Sequence, residues 1–146
     1  MPDQYAIAAA FVVKIDDQDL GAFTSCDGLG CEMVLEQREE GGNFGHVWQL
    51  PTRLKFNNVK LSRPITAESA KLTRWFASMA SGVQRRTATI EARTLRGDVI
   101  ASWSLVDVVP VRWTGPQLTP DSQKPAMETL ELAHHGFLDP GRGSGR

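Results

Sequence analysis

The sequence predicts a mainly β fold: a small antiparallel β-barrel or sandwich carrying one amphipathic α-helix at about residues 67–81. Three observations predict it. Most of the chain alternates apolar and polar residues with period two, the strand signature. A single stretch has helical spacing, with Leu72, Phe76, Met79 and Val83 recurring on one stripe that Trp75 widens. Short runs of Gly, Pro, Asp and Asn separate the alternating segments at hairpin distances. The tally is about eight strands and one helix, which fits a β core with a helix packed on it.

The elements follow in order. Ala9, Phe11, Val13 and Ile15 share one side of a first strand. Asp16 to Asp19 is a polar turn, and Leu20 to Ser25 returns as the second arm of a hairpin. Cys26-Asp27-Gly28-Leu29-Gly30 is a tight bend. Beyond it, Leu29, Cys31, Met33 and Leu35 lie on one face, expected to be buried. Glu32, Val34, Glu36 and Arg38 lie on the wet face. Glu39 to Asn43 is a polar, glycine-rich break. Phe44, His46, Trp48 and Leu50 are again in step, and Pro51 is expected to end their strand. Leu54 and Phe56 share one phase, Val59 and Leu61 the other, so Asn57-Asn58 must absorb the change as a bulge or turn. Thr66 can cap the helix, with Ser69 as capping-box partner and Gly82 as the stop. Arg86 to Leu95, the turn Arg96-Gly97-Asp98 and Val99 to Val106 form the clearest hairpin. Pro110 is expected to break the chain before a short strand at Val111 to Thr114. Gly115 to Pro125 is loop, and Ala126 to Phe137 alternates with Met127, Leu130 and Leu132 as its apolar positions.

Composition bounds the function. The chain has 146 residues, 41% hydrophobic and 23% charged, with a formal net charge of -1. These values fit one domain, predicted over 1–139 and followed by a flexible tail at 140–146. They exclude a disulfide-dense or disordered chain, and the charge balance argues against non-specific nucleic-acid binding. The apolar stretch Ala6 to Val13 is far shorter than the roughly 20 residues of a membrane span. No Lys or Arg precedes it, so neither a secretory leader nor a membrane anchor is expected.

No motif points to catalysis. The sequence lacks a Gly-x-Ser-x-Gly elbow, a phosphate loop ending in Gly-Lys-Ser/Thr and a His-Glu-x-x-His pair. Cys26 and Cys31 lie far in sequence from His46, His134 and His135, so neither a metal site nor a cofactor is expected. His134 and His135 are adjacent on a strand and point to opposite faces. Glu36, Glu39 and Glu40 read as solvated charges, although a hydrolase would need a carboxylate pair of that kind. Arg85-Arg86 follow the helix, where its dipole favours cations. A ligand-binding barrel is a further alternative, requiring an apolar internal pocket.

Eight segments in order carry a resemblance. They are Ser25 to Leu29, Gln37 to Asn43, Gln49 to Arg53, Val59 to Arg63, the helix with Trp75-Phe76, Gly82 to Arg86, Pro110 to Pro116 and Glu128 to His134. Together they resemble the tail tube proteins of contractile phages and phage-tail-like contractile injection systems. One departure is Pro64, at a position where the family pattern usually has glycine. The resemblance implies a non-enzymatic structural subunit with no cofactor and no metal. Six copies would form a ring, and rings would stack into a hollow inner tube that delivers cargo or DNA. Implied partners are further copies of the chain, a contractile sheath, baseplate or spike components and the cargo. Assembly would occur in the bacterial cytoplasm, ahead of incorporation into a phage tail or phage-like particle. A baseplate-proximal, tube-initiating ring and a secreted type VI-like ring are alternatives. The resemblance also implies an arm reaching a neighbouring subunit, with interface candidates Arg38, Glu39, Glu40, Gly41, Gly42, Asn43, Phe44, Val47 and Trp48. Glu32, Val34 and Glu36 are the lumen-facing candidates.

Overall fold

Nine strands and one helix form among the described residues, which in this computed structural model are 7–39, 47–116, 119–120 and 125–138. In chain order they are β1 (Ala10–Ile15), β2 (Gln18–Phe23), β3 (Ser25–Asp27), β4 (Cys31–Glu39), β5 (Val47–Phe56), β6 (Val59–Pro64), α1 (Ser69–Met79), β7 (Arg86–Arg93), β8 (Val99–Thr114) and β9 (Met127–Ala133). Seven strands make one antiparallel sheet in the order β2-β1-β7-β8-β9-β6-β3, and β4 and β5 pair only with each other. The expected class therefore holds: mainly β, antiparallel, with one helix.

The two edge strands of the large sheet, β2 and β3, are consecutive pieces of chain joined at Thr24. Thr24 donates from both its N–H (2.8 Å) and its hydroxyl (3.1 Å) to the Ser62 carbonyl. The sheet thus curls until its edges meet through one residue. Strand β8 makes the curl possible. Its first part pairs with β7 and its last part, from Val109, pairs with β9. Asp107 at φ 54 and a register shift between Pro110 and Arg112 bend it between the two. Pro110 therefore does not break the chain as expected. It sits at an irregularity, where a residue without an N–H costs no ladder bond.

Side chains from both halves of the curled sheet meet inside. Val13, Phe23 and Ile90 from one half and Leu61, Leu130 and Leu132 from the other are fully buried, and Leu72 and Trp75 of α1 close the core. The helix is shorter than expected. The turn Ala67-Glu68 precedes it, stabilised reciprocally: Thr66 Oγ1 accepts from the Glu68 N–H and Ser69 Oγ from the Thr66 N–H, each at 3.1 Å. Gly82, at φ 150, donates to the Met79 carbonyl past its end. Val83 lies beyond that stop and is exposed, so it does not belong to the buried stripe. Arg85 and Arg86 are too far past Met79 to serve the dipole. Arg85 donates to the Asp107 carbonyl, and Arg86 pairs with Asp16 at 3.0 Å.

Three other expectations fail locally. The first turn is only Asp16-Asp17, because Ile15 already pairs with Gln18. Strand β9 carries Glu128 inward, and Met127, one of its expected apolar positions, is exposed. The reason is a partner: Glu128 Oε2 accepts from Arg63 Nε (2.8 Å) and Ser69 Oγ (2.7 Å), and Oε1 accepts from Trp113 Nε1 (2.9 Å). Arg63 also donates to the Leu20 carbonyl and lies 4.2 Å over the Phe23 ring. This buried pair ties β6, β9, β8, β2 and the start of α1 together. Finally, β9 stops at Ala133 and does not run to Phe137. The tail at 140–146 lies outside the described residues.

Candidate assembly surface

The pair β4–β5 is a two-stranded ribbon outside the large sheet, and its register fixes its two faces. Cys31 pairs with Phe56, Met33 with Leu54, Leu35 with Pro51, Gln37 with Gln49 and Glu39 with Val47. Directly opposed residues point the same way, so Met33, Leu35, Pro51, Leu54 and Val47 form one apolar face. On the other face Glu32 pairs with Lys55, Val34 with Arg53, Glu36 with Leu50 and Arg38 with Trp48. Strand β5 runs through Pro51, contrary to expectation. A register shift between Val34 and Leu35 leaves Thr52 as an extra residue, whose hydroxyl donates to the Val34 carbonyl at 2.8 Å. Proline is tolerated at such a bulge.

The apolar face is not covered. Met33 is 46% exposed, Leu35 48%, Val47 49% and Leu54 51%. The expectation that the Cys31, Met33 and Leu35 side is buried is therefore wrong for the single chain, because the strand joins the ribbon and not the sheet that surrounds the core. Among the interface candidates, Arg38 and Trp48 oppose each other across the ribbon, and Glu39 and Val47 form the next pair. Glu40, Gly41, Gly42, Asn43 and Phe44 lie outside the described residues. The lumen-facing candidates Glu32, Val34 and Glu36 share the polar face, where Glu32 lies 3.9 Å from Lys55 Nζ. Sequence reasoning missed Met33, Leu35, Pro51 and Leu54 as surface residues. Their common phase was legible; the missing core behind them was not.

The ribbon joins the body through an aromatic knot. Phe56, His134 and Phe137 stand with ring centroids 5.4–5.8 Å apart. His134, only 6% exposed, accepts at Nδ1 from the Gly136 N–H (3.1 Å), so Nε2 carries the proton and donates to the Asn57 carbonyl (3.1 Å). Burial holds its pKa below the usual histidine range. The bond donated to the Asn57 carbonyl opposes that shift and the neighbouring His135 charge adds to it. Gly136 has φ 134, and a Cβ there would stand 3.2 Å from the Phe56 ring. Gly28 performs the same service on the other side of the joint: at φ 95, its Cβ would fall 2.1 Å from the Asn58 carbonyl oxygen. Nearby, burial and then the Asp27 charge push the half-buried Cys26 thiol up to about 11, whereas Cys31 on β4 is exposed.

Residues 8–138 match the model of the T4-like virus tail tube protein gp19 family. The chain belongs to that family. Solved structures share its fold. A chain in the sheath-tube complex of an extracellular contractile injection system, in its extended state, superposes with a TM-score of 0.79 at 19% identity, over 94% of this chain and 92% of that one. A chain in the anti-feeding prophage baseplate gives 0.78 at 21% identity, covering 93% and 95%. Hcp1 from Salmonella typhimurium is more distant, at 0.55 and 16% identity, covering 88% and 83%. No curated protein matches the sequence. As a family of structural tube proteins, the T4-like tail tube family gives the exposed ribbon a context. Among the described residues no group of three or more His, Cys, Asp and Glu gathers as a metal site, and no helix is long and apolar enough to cross a membrane.

Proposed function

We propose that this chain is a structural subunit of the inner tube of a contractile tail or injection system, assembling into six-membered rings that stack around a hollow channel. The observation that carries this reading is the uncovered apolar face of the β4–β5 ribbon. Four large side chains on it, each about half exposed, leave roughly 300 Å² of apolar surface, worth about 7 kcal/mol gross if fully buried. A patch of that size is ordinary on a monomer, so the family match over residues 8–138 is what makes it an interface, which a neighbour in a closed, head-to-tail ring would cover. In this arrangement the ribbon, with Arg38, Glu39, Val47 and Trp48 and the connecting residues Glu40 to Phe44, is the arm that reaches the next subunit. Its opposite face, with Glu32, Val34 and Glu36, turns toward the channel, where cargo or DNA passes. Residues 1–139 act as one domain, assembly takes place in the bacterial cytoplasm, and the sheath and baseplate are the outer partners.

The test is assembly of the purified full chain, followed by light scattering and negative-stain imaging. Wild type forms six-membered rings that stack into tubes. Leu35→Asp with Leu54→Asp places two charges on the apolar face, and the variant remains a folded monomer. Rings that form unchanged in this variant would refute the role of the ribbon. Wild-type rings that never stack would point to a tube-initiating or secreted ring, and a wild-type monomer at high concentration would refute the ring reading itself.

A further inference from the structure

The ribbon is held at one end. Strands β4 and β5 pair with each other and with no strand of the body, and neither packs broadly on any other described element. The chain enters the ribbon through Gly28-Leu29-Gly30 and leaves it through Asn57-Asn58. The contacts at this joint therefore set the angle of the ribbon on the body. On the entry side Leu29 packs on the core, and Gly28 lies against the Asn58 backbone. On the exit side Asn58 Nδ2 donates to Glu131 Oε2 at 2.8 Å. The remaining exit contacts pass through one imidazole.

The His134 ring stands between Phe56, the last residue of β5, and Phe137. Its Nε2–H holds the carbonyl of Asn57, the first residue past the ribbon. Its Nδ1 holds the Gly136 N–H, which fixes the segment that carries Phe137. That segment is tied to β8: the Val106 N–H donates to the Gly136 carbonyl at 2.9 Å and the Leu138 N–H to the Ser104 carbonyl at 2.8 Å. One neutral ring thus bridges the ribbon's exit to the body.

Only the neutral ring can make both bonds. A second proton, on Nδ1, would point at the Gly136 N–H and set two donors against each other across 3.1 Å. The cation would also sit almost wholly out of water without an acid to pair it. The charged groups around the joint are engaged elsewhere. Glu131, flanked by Lys60 and Arg112 on the neighbouring strands, takes the Asn58 bond. Asp27 opposes Lys60 across β3 and β6, and Asp107 lies 3.3 Å from His135 Nδ1. From the ribbon, the Cys31 thiol lies opposite Phe56. The adjacent His135, when charged, only repels a second cation. A doubly protonated His134 must leave its place, and the Asn57 bond and the Phe56 contact go with it.

We infer that the Phe56–His134–Phe137 knot is an acid-released latch: it holds the ribbon at a fixed angle while His134 is neutral and frees it when the ring takes a second proton. The latch stands on the joint alone. Its consequence for assembly rests on the ring reading above, in which the ribbon is the arm that reaches the next subunit.

The test is amide hydrogen exchange on the full chain, kept dilute enough to stay monomeric, as a function of pH. A detached two-stranded ribbon is marginal in water, so its protection reports the latch. In the wild type, the ribbon amides and those of Gly136 and Leu138 should exchange through an opening easier than that of Ile90 and Leu105 in the core. That opening should be insensitive to low urea, because it exposes little surface. Corrected for intrinsic rates, ribbon protection should fall by up to tenfold per pH unit below about 6.5, the ordinary histidine value. In His134→Gln, whose amide supplies an acceptor and a donor but takes no proton, this dependence should vanish; His135→Gln should keep it. A change of less than about twofold between pH 7 and pH 5 overturns the latch. So does a ribbon that opens only together with the core, or a dependence that persists in His134→Gln. The wild-type profile decides alone if His134→Gln does not fold. At higher concentration, rings should need more protein at pH 5.5 than at pH 7.5. Rings that form equally well at both, with exchange as expected, overturn the ribbon's role in the ring and leave the latch standing.

Discussion

Glu128→Gln replaces a carboxylate by a side chain of the same shape, so it removes charge without opening a cavity. In the native chain that carboxylate accepts hydrogen bonds from Arg63, Ser69 and Trp113, and it faces a guanidinium only 1% exposed. The amide has a single acceptor oxygen, so its NH2 must oppose one of those donors, and the Arg63 charge stays buried without compensation. Removing one partner of a buried pair costs about 3–5 kcal/mol. That is a large share of the roughly 5–15 kcal/mol that holds a domain folded. For a chain of this length about 3 °C of melting temperature is lost per kcal/mol, so Tm should fall by about 10–15 °C. Urea denaturation at pH 7 and one fixed protein concentration measures the loss without confounding it with assembly. Arg63→Met combined with Glu128→Leu removes both charges and should recover most of it, because desolvation of the pair offsets its attraction. A single-variant cost under about 1 kcal/mol, the range of surface pairs, would refute the reasoning. So would a double variant as unstable as the two single changes added together.

Two further outcomes follow from the joint and from the buried ionisable groups. Gly28→Ala combines a left-handed backbone with a Cβ 2.1 Å from the Asn58 carbonyl oxygen, so it should destabilise by at least about 1–3 kcal/mol, seen as a lower urea midpoint with the slope unchanged. Stability should also fall on acidification in two stages. Burial keeps His134 neutral when folded, so the unfolded chain takes up a proton first as pH drops below about 6.5. Glu128 follows: burial alone would raise its pKa, but the hydrogen bonds from Arg63, Ser69 and Trp113 and the Arg63 charge together lower it. Its contribution is therefore present above about 4.5 and is lost as pH falls through the lower folded value. Midpoints measured from pH 8 to pH 3 check both stages, and His134→Gln should abolish the first.

Much of this architecture was legible in the sequence because period-two alternation reports strands wherever one face is wet. The β7–β8 hairpin, the first hairpin and the bend at Gly28 all lie where turn chemistry put them. Prolines misled the reading. Pro51 and Pro110 ordinarily end strands, but each sits at a bulge, and a bulge depends on the partner strand, which no local pattern encodes. Partner choice also hid the ribbon. The residues of β4 alternate as a half-buried strand does, yet β4 pairs only with β5. Glu128 was unreadable for a third reason. A charged residue inside a strand is taken as outward-facing, and its partner Arg63 is distant in sequence. Of the interface candidates, Val47 falls on the apolar face and Arg38 and Trp48 on the other, whereas Met33, Leu35 and Leu54 extend that apolar face toward the body.

The pairing of strands also dictates an order of events during synthesis. In the large sheet Val13 waits for Ile90, and Leu61 waits for Leu130, so the curled sheet cannot form until nearly the whole chain has left the ribosome. Closing such long loops is slow compared with forming a hairpin. The β4–β5 ribbon needs only its own two strands, and both emerge before β7, β8 and β9 exist. The sticky strands of the molecule therefore leave the ribosome before the body that anchors them, whose His134 and Phe137 emerge last. For that interval the growing chain shows neighbouring chains the apolar residues of both strands without the fold that holds them, which makes subunit concentration and translation rate, as well as final stability, determinants of whether copies meet correctly.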